Sequence, residues 1–204
     1  MTIATLQRRP LVKQILAGAD DNLLVVAGLG SSNWDITAAG DRPLNMPLWG
    51  AMGGTVPMGL GLAIAQPSRR VLVITGDADL MMTIGSLATV AAQQPDNLAI
   101  CVLDNEKFGE TGNQASHTSP RNNGPTDSGA GTDLAMIARG CGIADTGTVR
   151  ESSEAAALVK DLRTKKGPVF RLVKVMVEKL EFVMPPQDGA YLKDRFRAAL
   201  LGSP

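Results

Sequence analysis

Asp77 and Asn105 stand 28 positions apart, and each closes a short element that follows an apolar run. The first run is Val71-Leu72-Val73-Ile74-Thr75, leading to Gly76-Asp77-Ala78-Asp79. The second is Leu98-Ala99-Ile100-Cys101-Val102-Leu103, leading to Asp104-Asn105. Unbroken apolar runs of this kind read as strands buried on both faces. Two such strand ends in one sheet offer a carboxylate and an amide oxygen to one point. Hard oxygen ligands suit Mg²⁺, which commonly arrives with a substrate or cofactor diphosphate. Asp77 alone reads equally as a helix N-cap; the second element, in matching strand context, turns the reading toward a metal ligand.

The elements that must position these residues alternate between strand and helix. The pattern predicts a helix over 5–17, a strand over 22–27 stopped by Gly28-Leu29-Gly30-Ser31-Ser32, a short helix over 34–39 and an extended piece over 45–49. A small-residue helix over 51–65 precedes the strand 71–75, and a helix over 80–93 carries Leu80, Ile84, Leu87 and Ala91 on one face. The strand 98–103 opens into a polar, Gly-rich loop over 104–132, long enough to suggest function. Thr132-Asp133 caps a helix to Arg139; a strand over 143–149, a helix over 152–165 and a strand over 168–176 follow. The alternation predicts an α/β fold with a doubly wound, mostly parallel sheet and helices on both faces, over residues 1–176. Residues 177–204 read as an irregular tail with a short helix over 189–201.

Composition narrows the function. Basic and acidic residues balance at 20 each, which removes the electrostatic case for nucleic acid or an anionic membrane. Aromatics at 3% do not furnish a base-stacking surface. Cys101 and Cys141 form no CxxC pair and read as reduced thiols of a cytoplasmic protein. The first ten residues hold no apolar signal core, and no run approaches a membrane span. Gly28-Leu29-Gly30 fails as a dinucleotide fingerprint, because Asn33 stands where the third glycine belongs.

The two elements are similar to the thiamine diphosphate signature, GDG followed at a distance by NN. The chain resembles the cofactor-binding, PP-type domain of thiamine diphosphate-dependent enzymes. The resemblance implies that Asp77, Asn105 and the backbone carbonyl of Lys107 hold Mg²⁺. It places Gly30 and Ser31 at the diphosphate, with Gly76, Ala78, Asp79, Phe108 and Gly109 around the cofactor. A helix starting near Asp79 would point its N-terminus at the same place. Met52 matches the apolar wedge that bends the cofactor, and Gly50 the carbonyl that accepts from its amino group; taken alone, Met52 reads as core filler. The sequence departs from the signature at Ala78, Asp79 and Asp104. A second carboxylate at Asp79 would repel a diphosphate unless it caps the helix or reaches the metal.

The stretch Asn105-Glu106-Lys107-Phe108-Gly109-Glu110-Thr111-Gly112-Asn113-Gln114, with His117-Thr118 beyond it, resembles the β subunits of sulfopyruvate decarboxylases and, less closely, phosphonopyruvate decarboxylases. His117, the only histidine, is then a candidate proton donor, and Arg121 a candidate sulfonate or carboxylate partner. His117 reads equally as a solvated loop residue, and Arg121 reads more readily as one. The family also needs an activating Glu from a second domain, for which this chain has no room. The resemblance therefore implies one subunit of a split decarboxylase of small 2-oxoacids, with thiamine diphosphate and Mg²⁺ as cofactors and the Glu supplied by a partner chain. An acetolactate synthase-like carboligase subunit and a non-catalytic regulatory subunit are the alternatives.

Overall fold

The computed structural model describes residues 5–50, 52–120 and 131–202. Six parallel strands form one sheet in the order β2-β1-β3-β4-β8-β7. These are β1 (Leu23–Ala27), β2 (Asn45–Pro47), β3 (Arg70–Gly76), β4 (Leu98–Asp104), β7 (Asp145–Val149) and β8 (Val169–Lys174). The chain passes from β1 to β2 on one side, then crosses back to place β3 on the other side of β1. This is the switch that opens a crevice beyond the carboxyl ends of the strands.

The apolar runs divide by period two between two cores. Leu72 and Ile74 join Val25, Cys101 and Val173 on one face, under α1 (Arg8–Leu16), α2 (Ser31–Ala38) and α7 (Ala155–Thr164). Val71 and Val73 join Leu24, Ile100 and Phe170 on the other, under α3 (Thr55–Ala65), α5 (Ser86–Gln93) and α6 (Leu134–Gly140). Helix α3 lies so close to β3 that a Cβ on Gly59 would sit 2.2 Å from Val73 Cγ2.

The structure alters several expected boundaries. The helix expected over 80–93 is two helices, α4 (Asp77–Met82) and α5, and the first begins at Asp77 rather than near Asp79. A turn replaces the helical ladder between them, with Ser86 N–H donating to the Thr83 carbonyl and the Thr83 hydroxyl to the Gly53 carbonyl. Helix α3 starts at Thr55, because Gly53 holds φ +87° in the turn before it. Helix α2 starts at Ser31, directly after Gly30. Strand β7 starts at Asp145, since Ile143 N–H is spent on the Ala138 carbonyl at the end of α6. The long loop contains a small antiparallel hairpin, β5 (Lys107–Phe108) with β6 (Gln114–Ala115).

The tail packs back onto the first half of the chain. Phe182 lies against Trp34, Trp49 Nε1 donates to the Pro186 carbonyl, and α8 (Gly189–Leu201) buries Leu192 and Phe196. The Asp188 side chain caps α8, and Arg195 pairs with Asp41. Among the described residues no helix is long and apolar enough to cross a membrane.

Candidate metal and cofactor site

Strands β3 and β4 run level, with Gly76 paired to Leu103. The next residue on each is an aspartate, so Asp77 and Asp104 emerge side by side at the carboxyl ends. Both are buried, at 2% and 0% exposure. Asp104 also pairs in register with Lys174 of β8, whose ammonium lies 2.6 Å from Asp104 Oδ2 and 2.8 Å from Glu106 Oε1. Asp104 thus has a cationic partner, which it shares with Glu106.

Asp77 has no such partner among the described residues. Its side-chain donors among the described residues are the hydroxyls of Ser116 and Thr118, both on Oδ2. Thr118 Oγ1 also lies 2.7 Å from Asp104 Oδ1, and a hydroxyl has a single proton to give. Burial first, and then the charge of Asp104, lift the Asp77 carboxyl from 3.8 to about 6, against the pull of the two hydroxyls. Among the described residues this buried carboxylate is served only by neutral donors, beside a second carboxylate, and so is short of positive charge.

Asn105 is held at the same strand end by its own turn. Its Oδ1 accepts from Lys107 N–H at 3.0 Å, and Asp104 Oδ1 accepts from Glu106 N–H at 3.0 Å. Two successive Asx turns carry Glu106 to φ +60° and start β5, which contains Lys107. The amide oxygen of Asn105 keeps a second lone pair. Oxygen donors with excess negative charge at Asp77 fit a hard divalent cation.

The remaining candidate residues lie around this point. Gly30, at φ +85°, heads α2 with no side-chain cap, and Ser31 is its first residue. The Glu110 carboxylate lies directly over Gly30, 2.6 Å from where a Cβ would be. Burial raises the Glu110 carboxyl, against the lowering influence of Arg8. Gly50 takes φ +71°, and Met52 is 39% exposed. Gly76 is the extended N-cap of α4, and Ala78 lies buried in its first turn. Phe108 meets His117 edge-on, with centroids 6.0 Å apart, and Gly109 opens the turn between β5 and β6. His117 points to solvent, while Ser116 and Thr118 on either side are buried against Asp77. Arg121 lies outside the described residues.

The Asp79 side chain is held by the chain itself. Its Oδ1 accepts from Gly53 N–H at 2.6 Å. Its Oδ2 accepts from Thr55 Oγ1 at 2.6 Å and from the Thr75 hydroxyl. Both oxygens are thus occupied by the chain's own donors in a buried cluster under Gly28, where a Cβ would lie 2.6 Å from Oδ2. The side chain belongs to this cluster, which leaves the backbone of Asp79, in the first turn of α4, as the part that faces the candidate site.

Ser116, Thr118, Glu110 and Lys174 escape the sequence reading. For Lys174 a signal exists: Arg171 and Lys174 interrupt an otherwise apolar strand, and a basic residue inside a buried strand calls for a buried acid. Ser116 and Thr118 are two apart, so in extended chain they share a side.

The family described as "Thiamine pyrophosphate enzyme, C-terminal TPP binding domain" matches residues 30–172. The chain is 33% identical over 148 residues to sulfopyruvate decarboxylase subunit beta of Methanocaldococcus jannaschii, covering 72% of each chain. It is 30% identical over 198 residues to the subunit of the same name from Methanothermobacter thermautotrophicus, covering 97% of each. In fold it is similar to 2-oxoglutarate:ferredoxin oxidoreductase from Magnetococcus marinus, with TM-score 0.69 and 18% identity over 93% of this chain and 74% of that one. The sheet and these similarities agree: the chain belongs to the thiamine pyrophosphate enzymes, through their C-terminal cofactor-binding domain.

Proposed function

We propose that this chain is the cofactor-binding subunit of a split thiamine diphosphate-dependent 2-oxoacid decarboxylase, of the sulfopyruvate decarboxylase kind. The observation that carries the reading is Asp77: a buried carboxylate with no cationic side chain on it among the described residues, level with Asp104, on the two strand ends that bear the family signature. The similarity to two chains named as beta subunits supports both the reaction and the need for a partner. The free cysteines Cys101 and Cys141 suit the reducing cytoplasm.

Asp77, Asn105 and the Lys107 carbonyl would hold Mg²⁺, and Gly30, Ser31, Gly76 and the backbone of Ala78 the diphosphate. When bound, thiamine diphosphate would supply a carbon nucleophile, its thiazolium C2 after loss of the C2 proton, and a ring able to take up the electron pair that departing CO₂ leaves behind. Met52 would press on the rings and the Gly50 carbonyl would accept from the amino group. Phe108 and Gly109 shape the entrance. His117, exposed and beside Phe108, would hold the proton that the carbon needs once CO₂ has left. The activating Glu comes from the partner.

The test mixes the chain with the product of the neighbouring gene, thiamine diphosphate and Mg²⁺, and reads CO₂ release from sulfopyruvate and other small 2-oxoacids. Release is expected from the mixture and not from the chain alone. Turnover by the lone chain at an ordinary rate would refute the split arrangement. A mixture silent toward every 2-oxoacid would refute the decarboxylase reading.

A further inference from the structure

The three-residue break between α4 and α5 and the buried carboxylate of Asp79 converge on one backbone segment. Gly53 is held by α4 from both sides of its peptide chain: its N–H donates to Asp79 Oδ1 at 2.6 Å, and its carbonyl accepts from Thr83 Oγ1 at 2.5 Å. The fit leaves no slack. A Cβ on Gly53 would sit 2.8 Å from Thr83 Cγ2 and 3.0 Å from Met82 Cβ, and its φ of +87° demands glycine in any case. The other Asp79 oxygen reaches Thr55, the first residue of α3, and Thr75 of β3. One carboxylate therefore ties together the turn that carries Met52, the start of α3, the end of β3 and the helix that begins with Asp77.

We propose that Asp79 and Thr83 are positioning residues. They fix the Met52 turn relative to Asp77, and so govern affinity for the rings of the cofactor rather than for its diphosphate. The proposal rests on the reading of the site as one for thiamine diphosphate. Met52 precedes Gly53 by one residue and Asp77 precedes Asp79 by two, so the ring contact and the metal ligand ride on one rigid body joined by these bonds. A ligand that touches only the metal and the diphosphate crevice does not depend on the joint. A ligand that spans both ends does.

The test compares two probes by calorimetric titration of the full chain in Mg²⁺: inorganic pyrophosphate and thiamine diphosphate. Thr83→Val keeps the shape and removes the hydroxyl that holds Gly53. Asp79→Ala removes the whole cluster, and Asp79→Asn retains an acceptor for Gly53 N–H. Thr83→Val should weaken thiamine diphosphate binding at least fivefold and pyrophosphate binding less than twofold. Asp79→Ala should show the same split more strongly, with Asp79→Asn restoring part of the lost affinity. If Asp79→Ala does not fold, Thr83→Val and Asp79→Asn carry the comparison. Equal losses for the two probes, or no loss for either, would overturn the positioning role, since a merely structural effect lowers both together. Failure of the unsubstituted chain to bind either probe would overturn the functional reading itself, and shows before any substitution is made.

Discussion

Replacing Asp77 by Asn should stabilise the ligand-free chain. Burial and the neighbouring Asp104 lift the Asp77 carboxyl from 3.8 to about 6. Holding it ionised in the fold therefore costs about 3 kcal/mol, at about 1.4 kcal/mol for each pKa unit. Asn keeps an oxygen for the Ser116 and Thr118 hydroxyls and carries no charge. The sign follows from proton counting. Between pH 4 and 6 the folded chain holds a proton that the unfolded chain has lost, so stability falls as pH rises through that window and stays low above it. At pH 8 Asp77→Asn should then be more stable by about 2–3 kcal/mol, equivalent to about 5–10 °C in melting temperature for a chain of this size. Near pH 4 the advantage should vanish. The assay is thermal unfolding of both proteins across pH 4–8, with and without Mg²⁺. Mg²⁺ should raise the melting temperature of the unsubstituted chain and leave the variant unmoved. A variant less stable at pH 8, or an advantage independent of pH, would refute the electrostatic reasoning.

Three further outcomes follow from neighbouring contacts. Lys174→Met removes the cation from the fully buried Asp104, and should cost about 3–5 kcal/mol by denaturant unfolding; a loss under about 1 kcal/mol would show that water and the Thr118 hydroxyl suffice for Asp104. Gly59→Ala forces a methyl to within 2.2 Å of Val73 Cγ2 and should cost about 1–3 kcal/mol, whereas Gly61→Ala, with open space at that point, should stabilise the helix slightly. His117→Gln should leave the melting temperature within about 1 °C, because the side chain is exposed, yet lower kcat of the assembled enzyme about 100-fold. An unchanged kcat would remove His117 from the chemistry.

The strands were readable because burial on both faces leaves an uninterrupted apolar run, as in 71–75 and 98–103, and a parallel sheet needs such strands. The break in the helix expected over 80–93 left no mark in the apolar spacing. Leu80 and Leu87 both still face the core, and the bond that pulls Thr83 out of the ladder comes from Gly53, thirty positions away. The hairpin of β5 and β6 has two residues per strand, too few for any period to show. Asp79 was visible as an unusual carboxylate but not as a satisfied one. Its partners Gly53, Thr55 and Thr75 become neighbours only when β3, α3 and α4 meet. The placement of Asp77 beside Asp104 follows from two strands of the same register, so it could be expected from the motif. The shortage of positive charge at Asp77 could not, because Lys174 might have served either carboxylate.

The most direct measurement is calorimetric titration of thiamine diphosphate into the chain in Mg²⁺, first alone and then with the product of the neighbouring gene. A cofactor subunit of a split decarboxylase should bind weakly alone and tightly in the mixture, and chelation of Mg²⁺ should abolish both. No binding in either sample, or binding indifferent to Mg²⁺, would contradict the assignment of Asp77 and Asn105 to a metal-held diphosphate.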